Sequence, residues 1–314
     1  MIVAGVDVGG TSVKTGLVEE EGNRVVARFK APTPRKGPEA LIDAIREQVE
    51  SFDEKPVAVG VGIPGAVSGN EIIQVPNLAN WPPDFEFRKA LEKALAVPVA
   101  LGNDVNVGLL GEWLAGSAKG ALNVLGVWMG TGVGGALILD GRPYNGGRGA
   151  AGEIGHVLVH KDGAVCGCGR RGCLEAYAGR RMMTKTARAM QAAGRTTALF
   201  EIQDKEDKAR PTSKVWAKAL EAGDPVATQI FDEAIDALGV AVGSALNLLD
   251  LDLVVLGGGF AERMGDKLAE RIGAAARPRV MALNPGLKFV AAELGDDSGI
   301  VGAAELARAV VVEG

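Results

Sequence analysis

The pattern of apolar and polar positions predicts an α/β chain in which short strands alternate with longer helices. Apolar runs of strand length predict strands at residues 2–7, 12–18, 25–31, 57–63, 97–101, 122–128, 136–139, 251–256 and 288–292. Apolar residues that recur at helical spacing predict helices at residues 38–52, 85–96, 105–115, 174–193, 215–222, 226–249, from 261 onward and at 299–312. Residues 195–214 show neither period, and we expect an irregular, solvated segment there.

Two of the predicted strands end in a glycine-rich turn that opens a second strand. Residues 7–14 read Asp-Val-Gly-Gly-Thr-Ser-Val-Lys, and residues 130–135 read Gly-Thr-Gly-Val-Gly-Gly. A dinucleotide fingerprint would open a helix, and the sequence contains no Gly-Lys pair of the kind that a P-loop needs. Glycine lets backbone N–H groups approach an anion, so each turn predicts a phosphate loop, and the repeated unit predicts an internal duplication. In the first turn, Thr11 adds a hydroxyl, Lys14 a positive charge and Asp7 a carboxylate suited to water-mediated Mg²⁺.

The strongest chemical signal is a cluster of cysteine and histidine. All three cysteines, Cys166, Cys168 and Cys173, lie within eight positions, and both histidines, His156 and His160, lie just before them. Three thiolates and one imidazole are the ligand set of a closed tetrahedral zinc site. His156 and His160 remain alternatives at this point, because both would lie on one face of an extended strand. Buried thiols beside a core histidine are the other interpretation, and a disulfide fits poorly because three cysteines leave one thiol over.

Two glutamates flank this cluster. Glu153 and Glu175 each lie within three residues of a candidate ligand, so a bound metal would hold both in place. A solvated surface carboxylate is the ordinary alternative for either residue. Carboxylates held in place suit a ligand with several hydroxyls, and we therefore predict contacts with a polar substrate at both positions.

Three further segments lie at predicted strand ends, where open α/β sheets bind ligands. Asn103 and Asp104 lie at a strand-to-helix corner, where they can cap the helix or supply a general base with a neighbouring amide that orients the substrate hydroxyl. Gly65 ends a Gly-Ile-Pro-Gly turn after the strand at 57–63. The glycines at 257–259 would let the backbone pack flat against a planar group such as adenine or ribose.

The composition excludes several classes of protein. A chain of 314 residues suits two domains, and 47% apolar residues argue against disorder. The net charge of −5 and the absence of a basic stripe argue against nucleic-acid binding. Since the sequence contains no run of eighteen apolar residues, we expect no membrane span. The first residues carry no basic region or cleavage site, so we expect no signal peptide and a cytoplasmic protein with reduced thiols.

Together these motifs resemble the ROK family (repressor, open reading frame, kinase), and the resemblance covers essentially the whole chain. The motifs that carry it are the two glycine-rich turns, the turn at 62–65, Asn103-Asp104, the glutamate–histidine motif at 153–156 and Cys-x-Cys-Gly-x-x-Gly-Cys-x-Glu at 166–175. The resemblance implies an α/β, actin-like ATPase fold, in which two ribonuclease-H-like domains flank a cleft.

The resemblance also implies how the motifs divide between the domains. A smaller N-terminal domain, residues 1–115 plus 300–314, would hold the first phosphate loop and the catalytic aspartate, and the last helix would return to it. A larger domain, residues 116–299, would hold the second phosphate loop, the zinc loop and the adenosine site.

The functional residues of the family are carried over position by position. The resemblance implies that Asp104 is the catalytic base and that the sugar contacts are Gly65, Asn103, Asp104, Glu153, His156 and Glu175. It implies donor contacts at Asp7, Gly9, Gly10, Thr11, Lys14, Thr131, Gly132, Gly134, Gly257, Gly258 and Gly259. The zinc ligands that it implies are His156, Cys166, Cys168 and Cys173, which selects His156 over His160. Ala136 stands where many members carry a further glycine, and we expect little effect from so small a side chain.

The activity that the resemblance implies is phosphorylation of D-glucose to glucose 6-phosphate by ATP with Mg²⁺, in a homodimer or homotetramer with structural Zn²⁺. Another hexose is the main alternative: fructose, mannose, N-acetylmannosamine or N-acetylglucosamine. Polyphosphate could replace or join ATP as the donor. A sugar-sensing repressor is less favoured, because family repressors carry a helix-turn-helix ahead of the first phosphate loop, and here that loop begins at Asp7.

Overall fold

The computed structural model describes residues 1–19, 23–75, 78–282 and 284–313. Its strands are β1 Ile2–Val8, β2 Ser12–Glu19, β3 Val25–Pro32, β4 Val59–Ile63, β5 Ala66–Ser68, β6 Glu71–Gln74, β7 Val99–Asn103, β8 Val124–Met129, β9 Val133–Leu139, β10 Arg142–Pro143, β11 Leu253–Gly257 and β12 Lys288–Ala291. Its α-helices are α1 Pro38–Glu50, α2 Phe87–Leu95, α3 Asp104–Ala115, α4 Glu175–Ala178, α5 Arg180–Ala192, α6 Leu199–Lys205, α7 Ser213–Glu221, α8 Pro225–Leu249, α9 Ala261–Met264, α10 Asp266–Ala276 and α11 Asp297–Glu313.

The two larger sheets have the same strand order. The first runs β3-β2-β1-β4-β7, with an antiparallel meander of β1, β2 and β3 followed by β4 and β7 parallel to β1. The second runs β10-β9-β8-β11-β12, in which β9 and β10 are antiparallel and β8, β11 and β12 are parallel. The small sheet of β5 and β6, which the apolar pattern did not predict, stands apart. In both larger sheets the first hairpin contains one of the glycine-rich turns, as an internal duplication would produce.

The chain forms two compact units. The first contains Met1–Ala121, Ala136–Ala151 and Glu293–Gly314, so the C-terminal helix α11 belongs with the N-terminal strands. The second contains Leu122–Gly135 and Gly152–Ala292. The distribution of functional parts between two domains, as drawn from the family resemblance, stays a prediction.

Strand β1 is buried on both faces, and its alternating side chains build two parts of the core. Ala4, Val6 and Val8 belong to a cluster that includes residues of α1 and α2. Val3, which points to the other face, packs with Ile300 and other residues of α11. A strand covered on both sides explains why β1 reads as a continuous apolar run.

Glycine is required where α11 crosses the first sheet. A Cβ atom at Gly60 in β4 would lie 1.7 Å from the carbonyl oxygen of Ala303, and one at Gly5 in β1 would lie 1.9 Å from that of Ile300. No side chain fits at such distances, because the obstructing atoms are backbone atoms of a packed helix. These glycines therefore set how closely the helix approaches the sheet.

We expect Gly60→Ala to lower the free energy of unfolding by about 1–3 kcal/mol or more, because the methyl group must push α11 away from β4. The measurement is the midpoint of urea unfolding, followed by circular dichroism. Gly147→Ala is the matched control, since a Cβ atom at Gly147 would have no neighbour within 4 Å. Equal midpoints for the two variants would contradict the predicted crowding.

The prediction of an irregular segment at 195–214 is wrong in its centre, where α6 forms. Leu199, the first residue of α6, is fully buried. Its N–H group donates to Thr197 Oγ1 (3.2 Å), and Thr197 Oγ1 donates to Asp224 Oδ1 (3.1 Å), at the start of α8. The helix start is thus organised by a residue 27 positions away, which no local pattern indicates.

Two further local predictions differ from the structure. The helix predicted at 174–193 is divided at Gly179 into α4 and α5, because Gly179 has extended backbone angles of φ −71° and ψ 125°. The extended strand considered for 154–160 does not form at its start, where Ile154–His156 is one turn of 3₁₀ helix. Both breaks change which side chains of the cysteine segment can meet.

Among the described ranges, none of the helices has the combination of length and apolar character that crossing a bilayer requires.

Candidate functional site

The first glycine-rich turn, between β1 and β2, is held from the side and exposed at its tip. Gly9 N–H donates to Ser12 O (2.9 Å), while Thr33 Oγ1 donates to Gly9 O (2.6 Å) and Thr33 N–H donates to Thr11 O (3.1 Å). Gly10 and Thr11 are exposed, and a Cβ atom at Gly10 would have no neighbour within 4 Å. Hydrogen bonds therefore hold the sides of the turn in place, while the backbone at its tip is exposed to solvent, an arrangement that suits binding of an anion.

Asp7 and Lys14, the charged residues of this turn, form an ion pair with a further carboxylate. They face each other across β1 and β2, with Lys14 Nζ 2.9 Å from Asp7 Oδ2 and 3.1 Å from Asp296 Oδ1. Burial alone would lower the pKa of Lys14, but the two carboxylates outweigh it and raise that pKa. Lys30 also pairs with Asp296 (2.8 Å). Lys14 is thus engaged by carboxylates and holds Asp7 in place, a partnership with Asp296 that the sequence did not indicate.

Asn103 and Asp104 lie where β7 passes into α3, and Asn103 both caps the helix and holds its neighbours. Asn103 Oδ1 accepts from the N–H groups of Val105 (2.9 Å) and Asn106 (3.0 Å). Asn103 Nδ2 donates to Gly65 O (2.8 Å) and to Asp104 Oδ1 (3.0 Å). One end of the amide therefore caps α3 and the other end holds the Asp104 carboxylate, while the orientation of a substrate hydroxyl stays a prediction.

Gly65 occupies a position that only glycine can fill. Its φ is +147°, and a Cβ atom there would lie 2.0 Å from Gln74 O in β6. Ile63, two residues before it, pairs with Asn103 across the parallel strands β4 and β7. The structure thus brings three predicted site residues of the first unit, Gly65, Asn103 and Asp104, to one edge of the first sheet.

The second glycine-rich turn, between β8 and β9, is in contact with Glu175. Gly130 N–H donates to Gly132 O (3.0 Å), and Val133 N–H donates to Glu175 Oε2 (3.1 Å). A Cβ atom at Gly132 would lie 2.1 Å from the same carboxylate oxygen, so the glycine makes room for it. Glu175, predicted as a sugar contact, therefore also supports the second turn, a relation that the sequence did not reveal.

The cysteine segment brings four ligand atoms together. His156, Cys166, Cys168 and Cys173 each offer one atom, and these atoms all lie within 4.8 Å of one another. The Cys168 and Cys173 sulfurs are 3.8 Å apart, and a tetrahedron with Zn–S bonds of about 2.3 Å has edges of about 3.8 Å. The donor set and its spacing therefore fit zinc.

The electrostatics of the three thiols differ. The backbone N–H and side chain of Arg170 lower the pKa of Cys168 to about 6. Burial raises the pKa of Cys166 to about 12 and also raises that of Cys173. Cys168, the exposed member of the three, is therefore the thiol that ionises first.

His160 lies apart from the four ligand atoms. It is exposed, and its Nδ1 atom is 2.9 Å from Lys161 O. The geometry thus groups His156 with the cysteines, as the resemblance implies. Glu153 is exposed at the start of the 3₁₀ turn, where its carbonyl accepts from His156 N–H (3.0 Å).

The glycines at 257–259, at the end of β11, occupy positions where a side chain would not fit. A Cβ atom at Gly257 would lie 2.2 Å from the ring of Trp128, and Gly258 has a φ of +81°. A Cβ atom at Gly259 would lie 2.7 Å from Ser213 Oγ. Backbone packed this closely fits the planar-ligand contact expected of residues 257–259.

Arg180 connects the region of the glycines at 257–259 to the second turn, and none of the sequence motifs includes this arginine. Its Nη1 atom donates to Ser213 Oγ (2.7 Å) and its Nη2 atom donates to Thr131 Oγ1 (3.1 Å). An arginine in a predicted helix has no pattern of its own, so no sequence signal would have distinguished it from its neighbours.

Two sheets of the same strand order, each with a glycine-rich first hairpin, are the architecture of actin-like ATPases and phosphotransferases. The sequence model of the ROK family matches residues 3–310. A glucokinase from Streptomyces coelicolor is 34% identical over 316 residues, which cover 98% of this chain and 98% of that protein. The N-acetylgalactosamine kinase AgaK from Shewanella sp. strain ANA-3 is 31% identical over 320 residues, covering 96% of this chain and 95% of that protein.

A solved structure gives the same result. The ROK family glucokinase from Streptomyces griseus, in complex with glucose and AMPPNP, is 32% identical, with a TM-score of 0.85 over 98% of this chain and 100% of that chain. This chain belongs to the ROK family. The comparisons confirm the predicted family, the actin-like fold and the predicted class of enzyme, a hexokinase-type phosphotransferase.

Proposed function

We propose that this chain transfers the γ-phosphoryl group of ATP to the 6-hydroxyl of D-glucose. The observation that carries the proposal is the amide of Asn103, which donates to both Gly65 O and Asp104 Oδ1. A carboxylate held in this way at the end of the parallel strand β7 is a suitable general base. The glucose and AMPPNP bound by the glucokinase from Streptomyces griseus support the choice of sugar and donor.

The chemical step requires little beyond positioning and charge. The Asp104 carboxylate accepts the proton of the 6-hydroxyl as its oxygen bonds to the γ-phosphorus. The bond from the γ-phosphorus to the bridging oxygen breaks, and ADP leaves. Asp104 Oδ1 also accepts from Val105 N–H (3.0 Å), and this hydrogen bond fixes the orientation of the carboxylate at the start of α3.

The sugar contacts that we propose are hydrogen bonds to the other hydroxyls. The groups that we propose for these contacts are Asn103, the backbone at Gly65, Glu153, His156 and Glu175. Ionised carboxylates accept two or more hydrogen bonds, so Glu175 can accept from a sugar hydroxyl while it accepts from Val133 N–H.

The donor contacts that we propose are the two glycine-rich turns and the glycines at 257–259. In the first turn the tip of Gly10 and Thr11 is exposed, and Asp7 beside it is held by Lys14. Mg²⁺ would neutralise charge on the β- and γ-phosphates, and Asp7 would hold it through water.

The role that we propose for Zn²⁺ is structural, at His156, Cys166, Cys168 and Cys173. Its contribution would be to fix the loop that precedes Glu175. The Cys166 sulfur lies 3.9 Å from Glu175 Oε1, so an ordered metal loop keeps this carboxylate beside the second turn.

Another hexose is the alternative acceptor, and one relative favours considering it. The N-acetylgalactosamine kinase from Shewanella is 31% identical, only slightly less than the glucokinase from Streptomyces coelicolor. Polyphosphate remains an alternative donor.

The experiment that tests the proposal is steady-state kinetics across sugars and donors. We expect glucose to have the highest kcat/KM among glucose, fructose, mannose, N-acetylmannosamine, N-acetylglucosamine and N-acetylgalactosamine. Each sugar is assayed with ATP and with polyphosphate. A higher kcat/KM for an N-acetylhexosamine would reassign the acceptor, and no phosphorylation of any sugar would contradict the proposal.

We also propose that the protein is cytoplasmic and forms a homodimer or homotetramer. Light scattering after size-exclusion chromatography measures the mass in solution, and a mass of 32.3 kDa, that of one chain, would contradict the proposed assembly.

A further inference from the structure

Arg180 lies where two predicted donor contacts of the second unit meet. Thr131, which accepts from its Nη2 atom, belongs to the glycine-rich turn. Ser213, which accepts from its Nη1 atom, is the residue that a Cβ atom at Gly259 would strike. One guanidinium therefore spans from the turn expected to hold phosphates to the glycines expected to hold the nucleoside.

The backbone around Arg180 fixes this position. Arg180 N–H donates to Gly130 O (3.3 Å), and Arg181 N–H donates to Thr131 O (3.0 Å), so the start of α5 is attached to the turn. The break at Gly179 lies where a Cβ atom would be 2.8 Å from Glu175 O, so glycine fits there without a clash. The two backbone hydrogen bonds therefore place the Cα atom of Arg180 beside the second turn.

In residues 1–19, 23–75, 78–282 and 284–313, the ion pairs of the structure include neither Arg180 nor Arg210, so no carboxylate of these ranges balances the charge of Arg180. Burial lowers the pKa of Arg180, and the nearby positive charge of Arg210 lowers it further. A half-buried arginine beside a second arginine is unfavourable unless an anion joins them.

We propose that Arg180, assisted by Arg210, binds the phosphate chain of the donor nucleotide. The planar guanidinium binds phosphate oxygens in pairs, and the two hydroxyl acceptors hold it between the turn and residues 257–259 before the nucleotide arrives. This inference rests on the proposed function, because it assumes a nucleotide donor. It adds a binding residue that none of the motifs includes.

The test is isothermal titration of the intact protein with ATP, ADP and adenosine, each with Mg²⁺. We expect Arg180→Ala to weaken ATP and ADP binding by about 10- to 100-fold, as for other hydrogen bonds to charged groups. Adenosine, which has no phosphate, should bind the variant and the wild type equally. In kinetics the KM for ATP should rise while the KM for glucose stays unchanged.

Three further variants keep the proposal open to refutation. Arg180→Lys keeps the charge but not the planar group, so we expect an intermediate loss. Arg210→Ala removes an exposed side chain that the fold does not need, and we expect a loss of about 3-fold. Arg188→Ala is the matched control, because Arg188 lies on the same helix but stacks over Phe200 (4.5 Å to the ring centroid), and it should bind all ligands normally.

The outcomes separate the two proposals. If the wild type binds ATP but Arg180→Ala, Arg180→Lys and Arg210→Ala bind it equally well, the assignment of Arg180 is wrong and the kinase stands. If Arg180→Ala loses adenosine affinity as strongly as ATP affinity, Arg180 only supports the fold, and the assignment is also wrong. If the wild type binds no adenine nucleotide, the ATP-dependent function itself fails. Circular dichroism of each variant shows whether it is folded. If the Arg180 variants are unfolded, ATP binding by Arg210→Ala decides the proposal.

Discussion

Asp104→Asn is expected to lower kcat for glucose phosphorylation by ~10²–10⁴-fold, the range for loss of a general base. The substitution removes the basic oxygen and keeps the shape of the side chain. An amide oxygen at this position can still accept from Val105 N–H and from Asn103 Nδ2, as Asp104 Oδ1 does. The fold of the corner and the binding of glucose should therefore be retained.

The measurement for Asp104→Asn has two parts. Coupled detection of ADP gives kcat, and isothermal titration gives the affinity for glucose without turnover. Asp53→Asn is the control, because it removes one exposed carboxylate from the same unit. A kcat close to that of the wild type, with unchanged glucose affinity, would remove Asp104 from its assigned role.

Cys173→Ser is expected to abolish stoichiometric zinc binding and to lower kcat/KM for glucose by at least ~10–100-fold, the range for loss of the groups that orient a site. Cys173 is buried and its sulfur lies 3.8 Å from that of Cys168, so a hydroxyl there breaks the tetrahedral set. Glu175 follows two residues later and accepts from Val133 N–H, so we expect disorder in the metal loop to disturb this contact.

Elemental mass spectrometry of protein purified without added metal or chelator gives the zinc content per chain and so tests this prediction. The two histidines provide a matched pair of variants. His156→Gln should lose zinc, whereas His160→Gln should retain it, because His160 is not one of the four residues whose ligand atoms cluster. Wild-type protein without zinc would refute the metal assignment, and loss of zinc only in His160→Gln would refute the choice of histidine.

The parts of the site that the sequence predicted are those in which neighbours in the chain are neighbours in space. The three cysteines lie in one glycine-rich stretch of eight residues, so this short segment can bring its three sulfur atoms together by its own folding. The two glycine-rich turns are also local, since a hairpin turn is specified by the residues within it. The helix cap at Asn103 was one of the two interpretations considered, and the structure shows its hydrogen bonds.

The parts that the sequence did not predict depend on residues far apart. The start of helix α6 is held by a hydrogen bond between Thr197 and Asp224. The apolar pattern within 195–214 does not indicate this hydrogen bond, because Asp224 lies outside that segment. Asp296 reaches Lys14 from the other end of the chain. The sequence around a single charged residue does not indicate which residue will pair with it, so ion pairs of this kind are found only in the folded structure.

Short-range patterns were enough to predict the alternating α/β elements, the two glycine-rich turns and the candidate metal ligands, because each depends on local geometry and on the chemistry of a few residue types. The groups that surround these features are brought together only when the chain folds. The tertiary structure attached Glu175 to the second turn and placed Arg180 between Thr131 and Ser213. Contacts of this kind arise when separate elements pack against each other, and packing depends on the whole core.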